Sequence, residues 1–488
     1  MQNEKLSHNA MFVGHHTIFA TLPFVLQSVA SFIPPQIRFS KQMTILNMMD
    51  ASSSSNYHHF GKDLEEEKGF VPKIPTMDNS LYAFLQDNEL FLLGNAKVQY
   101  VLHLHRDTGK ITFLHWGPPL SSLHPLPYDN LVSGGDEYSS IYSDYPIYGD
   151  GDDREPALKI SSLTTGISSF DFRYVSHEVI DGKVGEIGNT KMPCTYTESD
   201  DEAKTLVIKL MDYNLNIEIC LFYTVFKNYR AIARHTEIYN HGTETISIDR
   251  IASWSLDLPP SPHESGYSFL QLAGAWGREG QEVWNTIHQG KYVVGDMEGS
   301  QVHRSNPFVA VADGDVNEDT GTVFAFSFIY SGAFQSVLQM NQMGLLRVNM
   351  GMNPDMFRWK LESGESFVSP ECVAVFSNNG LGAISRDYHS LYRTRLARGQ
   401  WRDRLRPILL NTWEPFGFDF THDKLMSLAQ SAKAVGVELF VLDDGWFGSR
   451  NSDRSGLGDW FPNPKKLPSG LVGLANDVNR IGLDFGIW

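Results

Sequence analysis

Three short stretches in the second half of the chain carry residues that could do chemistry. They are Trp413 and Glu414 in ILLNTWE, Asp443 and Asp444 in ELFVLDDGW, and Trp488 in LDFGIW. Carboxylates accept hydrogen bonds from hydroxyl groups, and an indole covers an apolar C–H face. Paired acids beside tryptophans therefore suit a ligand that is rich in hydroxyls on one side and C–H groups on the other, as a sugar is. Each residue also has a plainer reading. Asp-Asp-Gly is a common turn held by Asx-type bonds to the backbone, and tryptophan is more often core than ligand surface. Glu414 is a third strand-end acid, equally suited to pairing with a nearby arginine. Asp443 and Asp444 do not suit an acid/base couple between themselves, because consecutive side chains leaving a strand diverge. Metal chemistry is not indicated. The 17 histidines show no ligand spacing such as H-E-x-x-H, and His15-His16 and His58-His59 fall in a polar leader.

The elements that must hold these residues alternate. RPILLNTW reads as a short buried strand, DKLMSLAQSAKAVG as an amphipathic helix ended by Gly436, and ELFVLDDGW as a second strand. After a long loop come GLVGLANDVNRIG, a helix closed by Gly482, and a third strand, LDFGIW. Strand, helix, strand, helix, strand implies parallel strands with crossover helices. A dinucleotide-binding sheet calls for a Gly-rich turn after its first strand, and Asn411-Thr412-Trp413-Glu414 is not one. A (β/α)8 barrel fits better, and there functional groups project from the C-terminal ends of the strands, where all five residues fall. Such a barrel takes roughly 250 residues, of which residues 405–488 supply about a third. The sequence is thus expected to be truncated within the barrel, leaving an apolar edge.

Upstream, short apolar runs separated by turn residues follow one another from Leu81, with polar–apolar alternation in Asn216-Ile217-Glu218-Ile219 and hairpin chemistry in RDTG. This predicts a large antiparallel sandwich over about residues 80–375. Leu381 to Arg398 has helical spacing, with Gly399 as a stop. The expected organisation is an extension over 1–75, a β-supersandwich domain over 76–378, a linker helix over 379–404 and an incomplete barrel over 405–488. Ser52–Ser55 and the charged DLEEEK leave the extension short of apolar content.

Composition narrows the partners. With 42% hydrophobic and 20% charged residues the chain is of the globular soluble class. Its formal charge of −17, with no basic patch, argues against nucleic acid and anionic membrane. Cys194, Cys220 and Cys372 cannot make a disulfide framework, and no Asn-x-Ser/Thr acceptor is present, which favours the cytoplasm. Thr17–Phe32 has the length of a signal h-region, so secretion is the alternative if residues 1–30 are cleaved. That stretch is too short and interrupted for a membrane span.

RGQWRDRLRPILLNTWE and the segment from VELFVLDDGW to LDFGIW resemble the barrel entry of glycoside hydrolase family 36 α-galactosidases. YPIYGDGDDREPAL, FDFRY, LAGAWGRE, SNPFVAV and FSFIYSG are similar to blocks of that family's N-terminal β-supersandwich, in the same order. The likeness covers roughly residues 80–488. It implies retaining hydrolysis of terminal α-linked galactose, as in melibiose or raffinose, without a cofactor. Retention needs two carboxyl groups roughly 5–5.5 Å apart. In the family both are aspartates on later barrel strands, the nucleophile following Lys-Trp-Asp, so neither has a counterpart among these 488 residues and no turnover is expected of them alone. Asp443 and Asp444 match the pair that binds the sugar's O4 and O6 hydroxyls, and Trp413 and Trp488 match aromatic walls of its site. In one place the sequence departs from the family: Gly151-Asp152-Asp153-Arg154 has Asp153 where an aromatic is usual. Some members form tetramers in which a loop near 121–137 enters a neighbour's site, making Asp129 a candidate contact and leaving a homo-oligomer open. A transferase, an α-N-acetylgalactosaminidase, and a non-catalytic sugar-binding or defunct protein remain as alternatives.

Overall fold

The computed structural model describes residues 81–86, 89–120, 143–183, 186–188, 190–299, 304–355 and 357–488. The extension over 1–75, the signal-like stretch, both histidine pairs and Asp129 lie outside the described residues. Alternation is what builds the first part of the chain. In the strand Ile217–Phe226, Ile217 and Ile219 are fully buried while Glu218 between them is not. The strand pairs antiparallel with Ala203–Asp212 on one side and Ala231–Asn240 on the other.

Repetition of that pattern gives, among the described residues, antiparallel sheets of ten, six and four strands. The ten-stranded sheet runs from the edge strand Arg278–Thr286 to the opposite edge Arg173–Asp181. Its middle is the pairing of Glu371–Ser377 with Ala231–Asn240. The six-stranded sheet is organised on the 13-residue strand Ile246–Leu258, whose register shifts let it pair with three partners. The RDTG stretch is a hairpin turn between Gln99–His105 and Lys110–Gly117 in the four-stranded sheet. Gly109 there has φ +68, and an added Cβ would lie 3.0 Å from Arg173.

All three sheets contribute to one core. Trp254 lies among Trp116, Phe326 and Tyr100 with ring centres 5.4–6.3 Å apart. Each such ring, removed from water, contributes about 1.5–3 kcal/mol. The buried arginines of this core are paired with aspartates. Arg234 donates to Asp144 at 2.9 Å, with its guanidinium 4.4 Å from the Tyr223 ring centre. Arg347 donates to Asp257 at 2.7 Å from both Nε and Nη2, and Arg154 reaches Asp257 at 3.1 Å. Asp152 closes this network with bonds from both arginines, whereas Asp153 is exposed. Asp153 therefore meets solvent and buries no charge.

The helix after the sandwich is Gly380–Arg395, so it ends before Arg398 and Gly399 is not its stop. Tertiary bonds intervene. The carbonyl of Arg395 accepts from the Tyr196 N–H at 2.9 Å, and its guanidinium forks onto Glu202 at 2.5 and 2.8 Å. Gly399 instead occupies the next turn, with φ +70. Tyr388 docks this helix on the sheet, its hydroxyl 2.9 and 3.0 Å from the carbonyls of Ala325 and Val373.

The last part has a different period. Leu409–Asn411, Leu439–Leu442 and Asp484–Ile487 form a parallel sheet in that order, joined by the helices His422–Ala434 and Gly470–Arg480. Thr421 caps the first helix by accepting from the Lys424 N–H. Leu425, Ala429, Leu474 and Val478 from the helices pack on Phe440 and Leu442 of the middle strand. This is the start of a (β/α) barrel following a β-sandwich. No described helix is long and apolar enough to cross a membrane.

Candidate functional site

The parallel register decides which residues meet. Asn411 pairs with Val441, and Val441 with Gly486, so the three strands end side by side. Adjacent strands lie roughly 4.8 Å apart. Trp413, Asp443, Asp444 and Trp488 consequently leave one end of the sheet, each one or two residues past the end of its strand. Trp413 opens a single helical turn, Trp413–Phe416, and is 39% exposed. Trp488 is 50% exposed, its N–H donating to the Leu442 carbonyl at 2.9 Å. Neither indole is core. Glu414 is also exposed, on the same helical turn.

The two aspartates differ in surroundings. Asp443 is half-buried, and its Oδ2 accepts from Asn411 Nδ2 at 2.5 Å. Asn411 also accepts the Trp413 N–H at 2.7 Å, so one amide joins the acid to the indole's backbone. Asp444 is buried, and Arg450 grips it with Nε to Oδ1 at 2.5 Å and Nη2 to Oδ2 at 2.6 Å. That hydrogen-bonded partner raises the Arg450 pKa above its usual value. Both aspartates also make turn bonds, Asp444 N–H to Asp443 Oδ1 and Gly445 N–H to Asp444 Oδ1, each 2.6 Å. The turn reading of Asp-Asp-Gly is thus realised. Gly445 is required, with φ +95 and an added Cβ only 3.0 Å from the Phe418 ring.

Several residues here were not singled out from the sequence. Phe418 meets Trp413 edge-on, with ring centres 5.0 Å apart. Trp460 (57% exposed) and Phe461 (60%) stand at the rim, Trp460 lying edge-on to Trp488 at 6.2 Å. Trp446 is buried and donates its indole N–H to the Trp488 carbonyl at 3.0 Å. Lys466 joins three of the loops. The signal available was the aromatic and charged content of WFGSRNSDRSGLGDWFPNPKK, which has no period to order it. Among the described residues no group of three or more His, Cys, Asp or Glu side chains could hold a metal ion. The arrangement offers carboxylate and amide groups beside exposed indoles, which is chemistry for binding a polyhydroxylated ring.

Residues 109–362 match the glycosyl hydrolase family 36 N-terminal domain, and residues 366–488 match the melibiase family. The chain is 39% identical over 421 residues to α-galactosidase AgaA of Geobacillus stearothermophilus, covering 83% of this chain and 56% of that protein. It is 36% identical over 418 residues to α-galactosidase C of Emericella nidulans, covering 83% and 54%. The crystal structure of AgaA superposes with a TM-score of 0.75, over 82% of this chain and 56% of that one. The α-galactosidase of Lactobacillus brevis gives 0.77 at 28% identity, over 83% and 55%. Variants of AgaA have been crystallised in complex with raffinose and with stachyose. The chain spans about half the length of the curated relatives it matches.

Proposed function

The chain belongs to glycosyl hydrolase family 36, and from that premise we propose that it carries the galactose-recognising part of an α-galactosidase, a retaining hydrolase of terminal α-linked galactose in oligosaccharides. The observation that carries the reading is the joining of Asp443 to Trp413 through Asn411 at the ends of two adjacent parallel strands. A carboxylate fixed beside an exposed indole can take a sugar's hydroxyls while the ring's C–H face lies on the aromatic. Asp443 and Asp444 are assigned to the O4 and O6 hydroxyls, and Trp413 and Trp488 to the walls. Galactosides such as raffinose and stachyose, bound by AgaA variants, are the expected ligand class.

Neither aspartate is assigned a catalytic role. Both oxygens of Asp444 are held by Arg450, which leaves it a poor nucleophile and a poor proton donor. Hydrolysis with retention needs a nucleophile on one face of the anomeric carbon and an acid/base on the other. Consecutive carboxyls leaving one strand do not straddle a sugar ring in that way, so Asp443 and Asp444 are assigned to binding alone.

The test pairs calorimetric titration of the protein with D-galactose and D-glucose with release of p-nitrophenol from its α-D-galactoside, which a hydrolase is expected to give and a protein that only binds the sugar is not. Galactose is expected to bind in preference to glucose, and Asp443→Ala to weaken that binding at least about tenfold, the loss of a bond to a charged group. Equal affinity for the two sugars, or galactose binding untouched in Asp443→Ala, refutes the assignment.

A further inference from the structure

One side chain ties the loops around this site together. Lys466 lies in the NPKKLPSG loop before the helix Gly470–Arg480. Its ammonium donates to the carbonyls of Phe418 at 2.8 Å, Gly445 at 2.8 Å and Arg450 at 3.2 Å. An ammonium has three hydrogens and no acceptor, so these bonds use its whole capacity. The Phe420 ring centre lies 4.8 Å from the same nitrogen, within reach of a cation–π contact.

The three carbonyls belong to parts of the site that no strand pairing connects. Phe418 follows the first barrel strand, and its ring packs on Trp413. Gly445 directly follows Asp444. Arg450 is the residue that grips Asp444. We propose that Lys466 is a positioning residue for the galactose pocket, setting the spacing between the Trp413 wall and the two aspartates from behind, an inference that rests on the sugar-binding reading of those residues. A neutral side chain of equal length would leave three carbonyl dipoles pointing at one another with no donor between them. The loop after the first strand and the Asp-Asp-Gly turn would then separate while the strands stayed paired. Burial pulls the Lys466 pKa below the ordinary lysine value, so this ammonium is held in place against a desolvation cost that its carbonyl bonds offset.

The experiment titrates D-galactose into the full-length protein and into Lys466→Met, Lys466→Ala and Lys465→Met, with thermal unfolding of each. Lys465 is an exposed neighbour and serves as the control. Lys466→Met and Lys466→Ala should weaken galactose binding about tenfold or more, as expected for lost bonds to a charged donor, and Lys465→Met should not. Propylammonium chloride should partly restore binding to Lys466→Ala, where the stem has been removed, and not to Lys466→Met, where the methionine side chain takes up the space of the stem. Sodium chloride at equal concentration should restore neither. Unchanged affinity in both Lys466 variants overturns the inference and leaves the pocket assignment standing. Lost binding without recovery by the amine also overturns it, in favour of general destabilisation. If the unmodified protein binds no galactose, the functional reading fails and takes this inference with it.

Discussion

Asn411 gives the sharpest way to probe how the pocket is held. Its amide nitrogen donates to Asp443 at 2.5 Å and its oxygen accepts from the Trp413 N–H at 2.7 Å. Replacement by alanine removes both bonds and leaves the strand, whose pairing is through the backbone, intact. A bond to a charged acceptor contributes about 1.5–3 kcal/mol and one between neutral groups about 0.5–1.5 kcal/mol. The two together come to roughly 2–4.5 kcal/mol. If about half of that ordering must be supplied by the ligand, galactose affinity falls about 5- to 40-fold, at about 1.4 kcal/mol for each tenfold change. Asn411→Asp is the stronger perturbation. It sets a second carboxylate against Asp443, a repulsion of about 4 kcal/mol at 4 Å in a medium of effective dielectric 20. At pH 7.5 it should bind galactose more weakly than Asn411→Ala, and protonation at pH 4.5 should narrow the gap. Titration calorimetry at both pH values, with the unfolding temperature as a check on integrity, measures this. Affinities for Asn411→Ala within twofold of the unmodified protein would refute the reasoning, as would an Asn411→Asp variant that binds better than Asn411→Ala at neutral pH.

Other predictions concern the scaffold. Arg347→Met leaves the fully buried Asp257 with Arg154, at 3.1 Å, as its remaining cation, and should cost about 1.5–3 kcal/mol in denaturant unfolding, the loss of bonds to a charged group; adding Asp257→Leu should recover part of that loss rather than deepen it. His235 is buried against the Phe222 ring, centres 4.2 Å apart, and burial holds its pKa below the ordinary 6.5. The unfolded chain then binds a proton that the folded chain does not, so stability should fall as pH drops from 7 towards 5. The slope is at most about 1.4 kcal/mol per pH unit for each such histidine. In denaturant titrations across that range, His235→Gln should have a shallower slope. Gly445→Ala forces a left-handed backbone onto a residue with a Cβ and pushes on Phe418. It should cost about 1–3 kcal/mol and weaken galactose binding, read by thermal unfolding and titration together.

What could be read from the sequence follows from the physics of each element. Alternation made the sandwich legible, because burial on one face of a strand leaves a period of two in residues such as Ile217, Glu218 and Ile219. The switch to helix and strand in turn made the barrel start legible, and with it the strand ends that carry Trp413, Asp443 and Trp488. The end of the helix Gly380–Arg395 was not legible, since its stop comes from Tyr196, about 200 residues away in the chain. Asn411, Arg450 and Lys466 were missed for a related reason. Lys466 binds backbone carbonyls, and every residue has one, so no residue type announces the partner. The Arg450 partner was in view as Asp444, but the loop between them has no period from which its path could be drawn.

The pairing of Ala231–Asn240 with Glu371–Ser377 in the middle of the ten-stranded sheet bears on how the protein is made. About 130 residues separate these two strands, and at synthesis rates of 5–20 residues per second the first waits roughly 7–26 s for the second. During that wait Ala231–Asn240 is the open border of a hairpin ladder with Ile217–Phe226, and apolar residues that will become the centre of the molecule face the cytosol or the secretion machinery. Arg234 on that strand already has Tyr223 and Asp144 as upstream partners, so a charged residue sits at the waiting edge. Such an edge resists pairing with a stranger chain. The buried guanidinium at the heart of the sandwich would thus guard the nascent chain first and join the finished core afterwards.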